Sequence, residues 1–458
     1  MKRNNVLAIT LVATLGGLLF GYDTAVINGA IGPMEQYFQL TPEQVGWATG
    51  CALVGCVIGS AGAGWLSDVL GRKQALIWSA VLFAVSAIGS AIPESLNEFV
   101  FYRIVGGVGV GIASLVAPMY IAEIAPSNQR GELVSYYQLA IVIGILVVFF
   151  ANYFIAGQGD ETWLREKGWR WMLGSETLPA LMFLAFLFFV PQSPRWLVQK
   201  QKSNEALKVL EKLRSSDIAK QELKEIEVSI RNEQNIQKAS ILDKGVPWVI
   251  SIGVIMSFLQ QVTGINVIMY YGTEIFKGMG EGTSGALFQT ILVGVINLIF
   301  TILAIYTIDK WGRKPLVIVG SLGMGLGIFG LAACIYTQSF GIIALVSVLT
   351  FIGSFAMSMG PVVWVLLSEI FSNKIRGTAM SIAVAAQWIS NFIVTQTFPM
   401  MNNNEALKES FNGSFAFWVY GFFCIVTVLF TLKFVPETKG KSLEEMEQVF
   451  GIQGSNNK

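Results

Sequence analysis

Three side-chain amides, Gln260, Gln261 and Asn266, stand in the apolar stretch FLQQVTGINVIMYY at 258–271. A carboxamide buried in hydrocarbon without partners costs roughly 2–7 kcal/mol. Such residues in a greasy segment therefore face a wet cavity or a polar ligand. At about 100° per residue, Gln261 and Asn266 lie roughly 140° apart on a regular helix. They converge on one ligand only if the helix breaks between them, and Thr263-Gly264 supplies a break point. Amides both donate and accept, which suits hydroxyl groups. Gln138, Asn297, Gln387 and Asn391 are further amides within apolar runs, and Trp364 and Trp388 add flat faces with an N–H at the rim. The chemistry read from this set is binding of something small, uncharged and rich in hydroxyls.

Ionisable groups inside apolar runs form a second set. Asp23 falls late in the first run, Arg103 early in the fourth and Glu176 early in the sixth. With alternating chain direction all three reach similar depth, and Asp23 can pair with Arg103. A neighbouring Arg lowers a carboxylate's pKa while desolvation raises it. A site moving between water and a closed bundle can thus load and release a proton; a static ion pair is the alternative. The chain has no His, so any proton it handles rides on Asp, Glu or water. Its four Cys all lie in apolar runs without a C-x-x-C pair, which excludes zinc-type metal sites. No nucleophile–base pair is evident, so an enzyme is not expected, and no cofactor or metal is called for.

The positioning elements are membrane spans. Charged residues make up 13% of the 458, against about 25% in soluble proteins. The net charge of +1 gives no basic excess for nucleic acid. Apolar runs are read at roughly 6–30, 44–66, 74–92, 99–120, 131–155, 170–190, 247–271, 285–308, 315–337, 341–368, 377–398 and 412–434, each about the length that crosses a bilayer. The start resembles a signal peptide, but the run continues to Ile31 without a convincing small-residue cleavage site and reads as the first span. The loops after spans 2, 4, 8 and 10 carry Arg72, Lys73, Arg130, Lys310, Arg313, Lys314, Lys374 and Arg376, which predicts an even span count with both termini cytoplasmic.

The chain repeats itself. GWLSDVLGRK at 64–73 echoes IYTIDKWGRK at 305–314, and AEIAPSNQRG at 122–131 echoes SEIFSNKIRG at 368–377. PQSPRWL at 191–197 and PETKGKSL at 436–443 each follow a sixth span. This predicts two similar six-span halves, 1–193 and 247–436, a polar linker of short amphipathic helices at 194–246 and a tail at 437–458. Within the repeated motifs, Asp68 with Arg72 and Asp309 with Arg313 can pair across a Gly turn. Glu123 with Arg130 and Glu369 with Arg376 can pair between helix ends. These eight residues are read as a cytoplasmic gate that latches in the outward-open state; basic loops serving topology alone are the alternative.

GRK after spans 2 and 8, the paired E…RG motifs, PQSPRWL, QQVTGINVIMYY, GPVVWVLLSEIF and PETKG together resemble the sugar porters of the major facilitator superfamily. GYDTAVI, YRIVGGVGVG, SYYQLAI and AVAAQW place the resemblance nearest the bacterial D-xylose–proton symport branch. The resemblance implies an all-α membrane fold of about twelve helices in two pseudo-symmetric bundles. It implies sugar contacts at Gln138, Gln260, Gln261, Asn266, Trp364 and Gln387, with Asn297 and Trp388 on or beside them. It implies a proton-coupling carboxylate at Asp23, its partner at Arg103 and a nearby acid at Glu176. Facilitative members generally lack an acid at the Asp23 position, which favours symport. The implied partners are a monosaccharide, a proton and membrane lipid, with function as a monomer in the inner membrane. A sugar uniporter and a non-transporting sensor stay open. Two departures stand out: Gln192 replaces a usual Glu, predicting one missing cytoplasmic salt bridge, and Val69 replaces a usual basic residue.

Overall fold

The computed structural model describes residues 3–126, 129–235, 243, 245–371, 375–441 and 443–450, so Lys374 of the predicted basic loops lies outside the described residues. Among the described residues there are helices and no strand. A first group holds α1 (Arg3–Ala25), α2 (Ile27–Phe38), α3 (Pro42–Leu70), α4 (Arg72–Ala91), α5 (Leu96–Ile124), α6 (Arg130–Ala156), α7 (Glu161–Trp163), a π turn over Leu164–Gly168, α8 (Trp169–Gly174) and α9 (Thr177–Leu187). A polar segment follows with α10 (Pro194–Gln199), α11 (Ser203–Leu213) and α12 (Ser216–Asn235). The second group holds α13 (Val246–Val262), α14 (Ile265–Gly278), α15 (Thr283–Trp311), α16 (Arg313–Tyr336), α17 (Ile342–Met357), α18 (Met359–Ile370), α19 (Arg376–Asn402), α20 (Glu405–Phe411) and α21 (Phe415–Phe434), with α22 (Leu443–Phe450) behind it.

Among the described residues, eleven helices are long and apolar enough to cross a membrane, counting α1/α2, α13/α14 and α17/α18 as one span each. Helices suit this role because every interior backbone group is paired within the segment. The twelfth expected span, 170–190, is present but broken into α8 and α9. Pro179 has no N–H, so Ser175 loses its i+4 acceptor bond, and the helix interrupts at Ser175-Glu176. The break sets Glu176 at a bend, buried.

Close backbone contact fixes the helix positions. A Cβ on Gly55 of α3 would sit 2.2 Å from the Ile104 carbonyl, and one on Gly107 of α5 would sit 1.9 Å from the Ala52 carbonyl. Only hydrogens fit there, which is how membrane helices approach when water supplies no driving force between them. The repeat is visible as repeated geometry. Gly71 (φ +93°) and Gly312 (φ +90°) end α3 and α15 in the same left-handed turn.

The break predicted in the 258–271 stretch lies at Gly264, with φ +87° and ψ +15°. Thr263 Oγ1 turns back onto the Gln260 carbonyl at 2.9 Å. A Cβ on Gly264 would meet the Tyr420 ring at 2.5 Å. The left-handed backbone alone costs a non-Gly residue roughly 1–2 kcal/mol. Gly264→Ala is therefore expected to lower the unfolding midpoint in detergent, by more than Gly278→Ala, whose Cβ meets nothing within 4 Å.

The amphipathic linker helices form as predicted and bind the first group. Ala206, Leu210 and Leu213 are buried along one face of α11. Arg214 Nη2 donates to the Ile124 carbonyl at 3.0 Å, and Asn5 Nδ2 to the Lys212 carbonyl at 3.3 Å.

Candidate functional site: an amide cluster and a buried ion pair

The break at Gly264 does what the sequence required of it. Asn266 Nδ2, at the start of α14, donates to Gln261 Oε1 at 2.7 Å. Gln261 Nε2 donates to Gln260 Oε1 at 3.2 Å, and Gln387 Nε2 of α19 donates to the same oxygen at 2.6 Å. Gln260 Nε2 in turn donates to the Met359 carbonyl at 2.7 Å. That carbonyl starts α18, just after the α17/α18 discontinuity at Ser358 (φ −129°, ψ −90°). Four predicted amides thus form one connected set joining three spans. The backbone partner at Met359 is not among the residues singled out from the sequence; the adjoining Gly360-Pro361 was the signal available for it.

Beside this set, Trp388 is buried with its Nε1 unpartnered, and its ring lies 5.7 Å from Phe20 of α1. The Gln387 Oε1 is likewise buried and unpartnered. Unsatisfied buried groups of this kind cost about 1–3 kcal/mol each, and a polyhydroxyl ligand satisfies them. Asn391 Nδ2 reaches the Tyr270 hydroxyl at 3.3 Å. Asn297 is buried on α15, whereas Trp364 on α18 and Gln138 on α6 are half-buried. No hydrogen bond ties these three directly to the amide set.

In the first group, Arg103 of α5 donates through Nη1 to Asp23 Oδ1 at 2.5 Å and through Nη2 to the Asp23 carbonyl at 2.9 Å. Asp23, Arg103 and Glu176 are 0%, 2% and 1% exposed. The Glu176 carboxyl adjoins Asp23. Asp23 Oδ2 and Glu176 Oε1 have no partner. The cluster holds two acids and one guanidinium. Two carboxyls in one dry site do not both ionise against a single cation without a large penalty, so the arrangement suits uptake of one proton.

The predicted gate residues form two matching networks, with a correction to the pairing. Arg72 binds Asp68 at 3.1 Å and Glu123 at 3.0 Å; Arg313 binds Asp309 at 3.0 Å and Glu369 at 2.7 Å. Glu123 and Glu369 thus face Arg72 and Arg313 rather than Arg130 and Arg376. Arg130 is exposed and lines a cavity of about 650 Å³ between α5, α6 and α12. Arg376 Nε donates to the Phe371 carbonyl at 3.3 Å. All four arginines open a helix, but α4 packs against α5 and α16 against α18, the helices that carry Glu123 and Glu369, more extensively than α6 and α19 do. Each network lies within one group.

Gln192 does not leave a gap. Its Oε1 accepts from the Lys73 N–H at 2.9 Å, at the start of α4. Glu437 does the same in the second group, accepting from the Arg313 and Lys314 N–H groups at 3.0 Å each. Burial pushes the Glu437 carboxyl up, but the backbone amides of Lys439, Arg313, Lys314 and Thr438 outweigh it and hold it below its ordinary 4.5. A depressed folded-state pKa contributes stability above the unfolded value that is lost as pH falls through the folded one. Glu437→Gln is therefore expected to flatten the fall in melting temperature below about pH 4.5, whereas Gln192→Glu should steepen it.

At the end opposite these networks the two groups are joined. Asn28 Nδ2 of α2 donates to the Met269 carbonyl at 2.7 Å, and the Thr273 N–H donates to Asn28 Oδ1 at 3.2 Å. Gln396 Nε2 of α19 donates to the Glu43 carbonyl of α3 at 2.8 Å.

Known proteins agree with this architecture. The family model described as sugar (and other) transporter matches residues 9–450. The D-xylose-proton symporter of Escherichia coli K12 is 50% identical, with 97% of this chain and 96% of that protein covered. The arabinose-proton symporter of Bacillus subtilis is 40% identical over 97% and 95%. The inward-open structure of the E. coli xylose transporter superposes with a TM-score of 0.86 at 47% identity, covering 97% of this chain and 99% of that one. With its fold, its repeated networks and its amide cluster, the chain belongs to the sugar transporter family of the major facilitator superfamily.

Proposed function

We propose that the protein is a proton-coupled symporter that imports a monosaccharide, D-xylose foremost, by alternating access. The observation that carries this reading is the buried Asp23–Arg103 pair with Glu176 beside it. A uniporter has no need of a second buried carboxyl at that depth. The sugar is held by Gln260, Gln261, Asn266 and Gln387, with Gln138, Asn297, Trp364 and Trp388 completing the pocket. Its hydroxyls replace the amide–amide bonds described above, so binding exchanges like for like.

The protein sits in the inner membrane as a monomer, with the basic loops and both termini on the cytoplasmic side. Residues 1–193 and 247–436 are the moving halves. The contacts of Asn28 and Gln396 then lie at the outer end, and the state is inward-facing, in keeping with the inward-open neighbour. The Arg72 and Arg313 networks hold each half's cytoplasmic helices together and meet across the mouth when it closes.

The test uses the purified protein in weakly buffered vesicles. Addition of D-xylose should alkalinise the side from which it is taken up, and competition by glucose, galactose and arabinose ranks the substrates. Sugar flux without alkalinisation points to a uniporter; sugar binding without flux points to a sensor.

A further inference from the structure

The two pieces of the interrupted sixth span are held by different neighbours. α9 packs against α1, where a Cβ on Gly16 would meet the Phe183 ring at 3.2 Å. α8 is tied elsewhere: Arg170 donates to the Ala91 carbonyl of α4 and to the Tyr37 hydroxyl of α2, both at 3.3 Å. Between the pieces lie Ser175 and Glu176, where Pro179 removes one rung of the helix ladder. A joint that its own backbone does not close takes its position from its neighbours, and Glu176 with it.

One of those contacts is a hydrogen bond from α1. The Tyr22 and Ser175 hydroxyl oxygens lie 2.7 Å apart. Ser175 Oγ donates its single proton to the Met172 carbonyl at 2.5 Å, so Tyr22 is the donor to Ser175. Tyr22 is 3% exposed, and its hydroxyl lies within electrostatic reach of Glu176. The bond joins the residue before Asp23 to the residue before Glu176. It therefore bears directly on how closely those two acids approach.

We infer that the Tyr22–Ser175 hydrogen bond is a positioning contact for proton coupling: it pins the joint of the sixth span to α1 and so holds Glu176 against Asp23. The inference rests on the proton-coupled reading above. With both carboxyls held beside the single guanidinium of Arg103, ionising both carries the penalty already described for this site. Without the bond the joint is free to carry Glu176 away. Asp23 is then left with Arg103 as a simple ion pair, which takes a proton only from a more acidic solution. The other titratable groups that face the pair are Cys51 and Cys56 from α3 and Tyr270 from α14; as neutral thiols and a phenol they do not replace Glu176. A buried phenol takes a hydrogen-bond partner whatever its function, so the test reads a pH profile and not a rate alone.

Tyr22→Phe and Ser175→Ala remove the bond from opposite sides. Each is compared in vesicles with wild type, the double variant and Ser175→Thr, with D-xylose as the probe. The readout is the pH at half-maximal xylose uptake, with inside and outside pH changed together at a constant difference. Xylose counterflow at acidic pH measures sugar binding and helix movement apart from it. Each single variant should move the half-maximal pH about one unit to the acid side, with counterflow within about twofold of wild type. The double variant should shift no further, since the same bond is lost in each. Ser175→Thr, which keeps the acceptor, should match wild type. An unchanged half-maximal pH in either single variant overturns the inference, as do shifts that add in the double variant. If wild type alkalinises on xylose addition and Asp23→Asn does not, while Tyr22→Phe keeps the wild-type half-maximal pH, the symport reading stands and the positioning role falls. Absence of alkalinisation in wild type removes both.

Discussion

Asp23→Asn should bind sugar and exchange it across the membrane while losing all uphill accumulation. Asn keeps an acceptor for Arg103, whose Nη2 also holds the residue's own carbonyl. It cannot take up a proton. Replacing one member of a buried ion pair ordinarily costs about 3–5 kcal/mol because a charge is left uncompensated. Here Glu176 stays beside Arg103 as counter-charge, so the variant carries one acid and one guanidinium. It imitates the proton-loaded state and should fold. Each charge crossing about 100 mV contributes ~2.3 kcal/mol, or about fifty-fold accumulation at one proton per sugar. The expected result is wild-type accumulation on that order against a ratio of one in the variant, with counterflow preserved in both. Gradient-driven accumulation by Asp23→Asn would remove Asp23 from the coupling role.

Gln261→Ala should weaken sugar binding by about 5- to 150-fold. Gln261 accepts from Asn266 at 2.7 Å and donates to Gln260 at 3.2 Å. Its loss removes contacts to the sugar and leaves both neighbours short of a partner in a buried site, roughly 1–3 kcal/mol in all. The effect should be larger than for Asn297→Ala, since Asn297 is not bonded into the amide set. Titration calorimetry with D-xylose measures it directly. Near-wild-type affinity in Gln261→Ala would exclude the amide set as the core of the pocket.

The two experiments separate the halves of the mechanism. The amides belong mostly to α13, α14 and α19; the carboxyls belong to α1 and to the break before α9. They meet at α1, where Phe20 packs against Trp388 three residues from Asp23. Under the proposed mechanism, sugar seated against Trp388 would press on α1, the helix that carries Asp23. This contact gives the coupling a physical path through one rigid element.

The apolar run lengths marked the spans, the repeated motifs the matching networks, and isolated polar residues the amide cluster and the buried ion pair, because each of these signals is local. Water is expelled from a span by its own side chains, and an amide in such a run is conspicuous whatever surrounds it. The break at Gly264 was legible for the same reason: the separation of Gln261 and Asn266 on a regular helix demanded it. What the sequence could not decide was partner choice across space. Glu123 and Glu369 sit close in sequence to Arg130 and Arg376, yet they pair with Arg72 and Arg313, because helix packing and the left-handed Gly turns bring those guanidiniums nearer. Gln192 was expected to leave a salt bridge missing, and as an amide it makes none, yet its oxygen still caps α4, since a helix N-terminus needs an acceptor and not a charge. The carbonyl at Met359 becomes a partner for Gln260 only once α18 is set against α13. Chemistry-bearing residue types are a property of the chain; the distances that make them act together are set by tertiary packing.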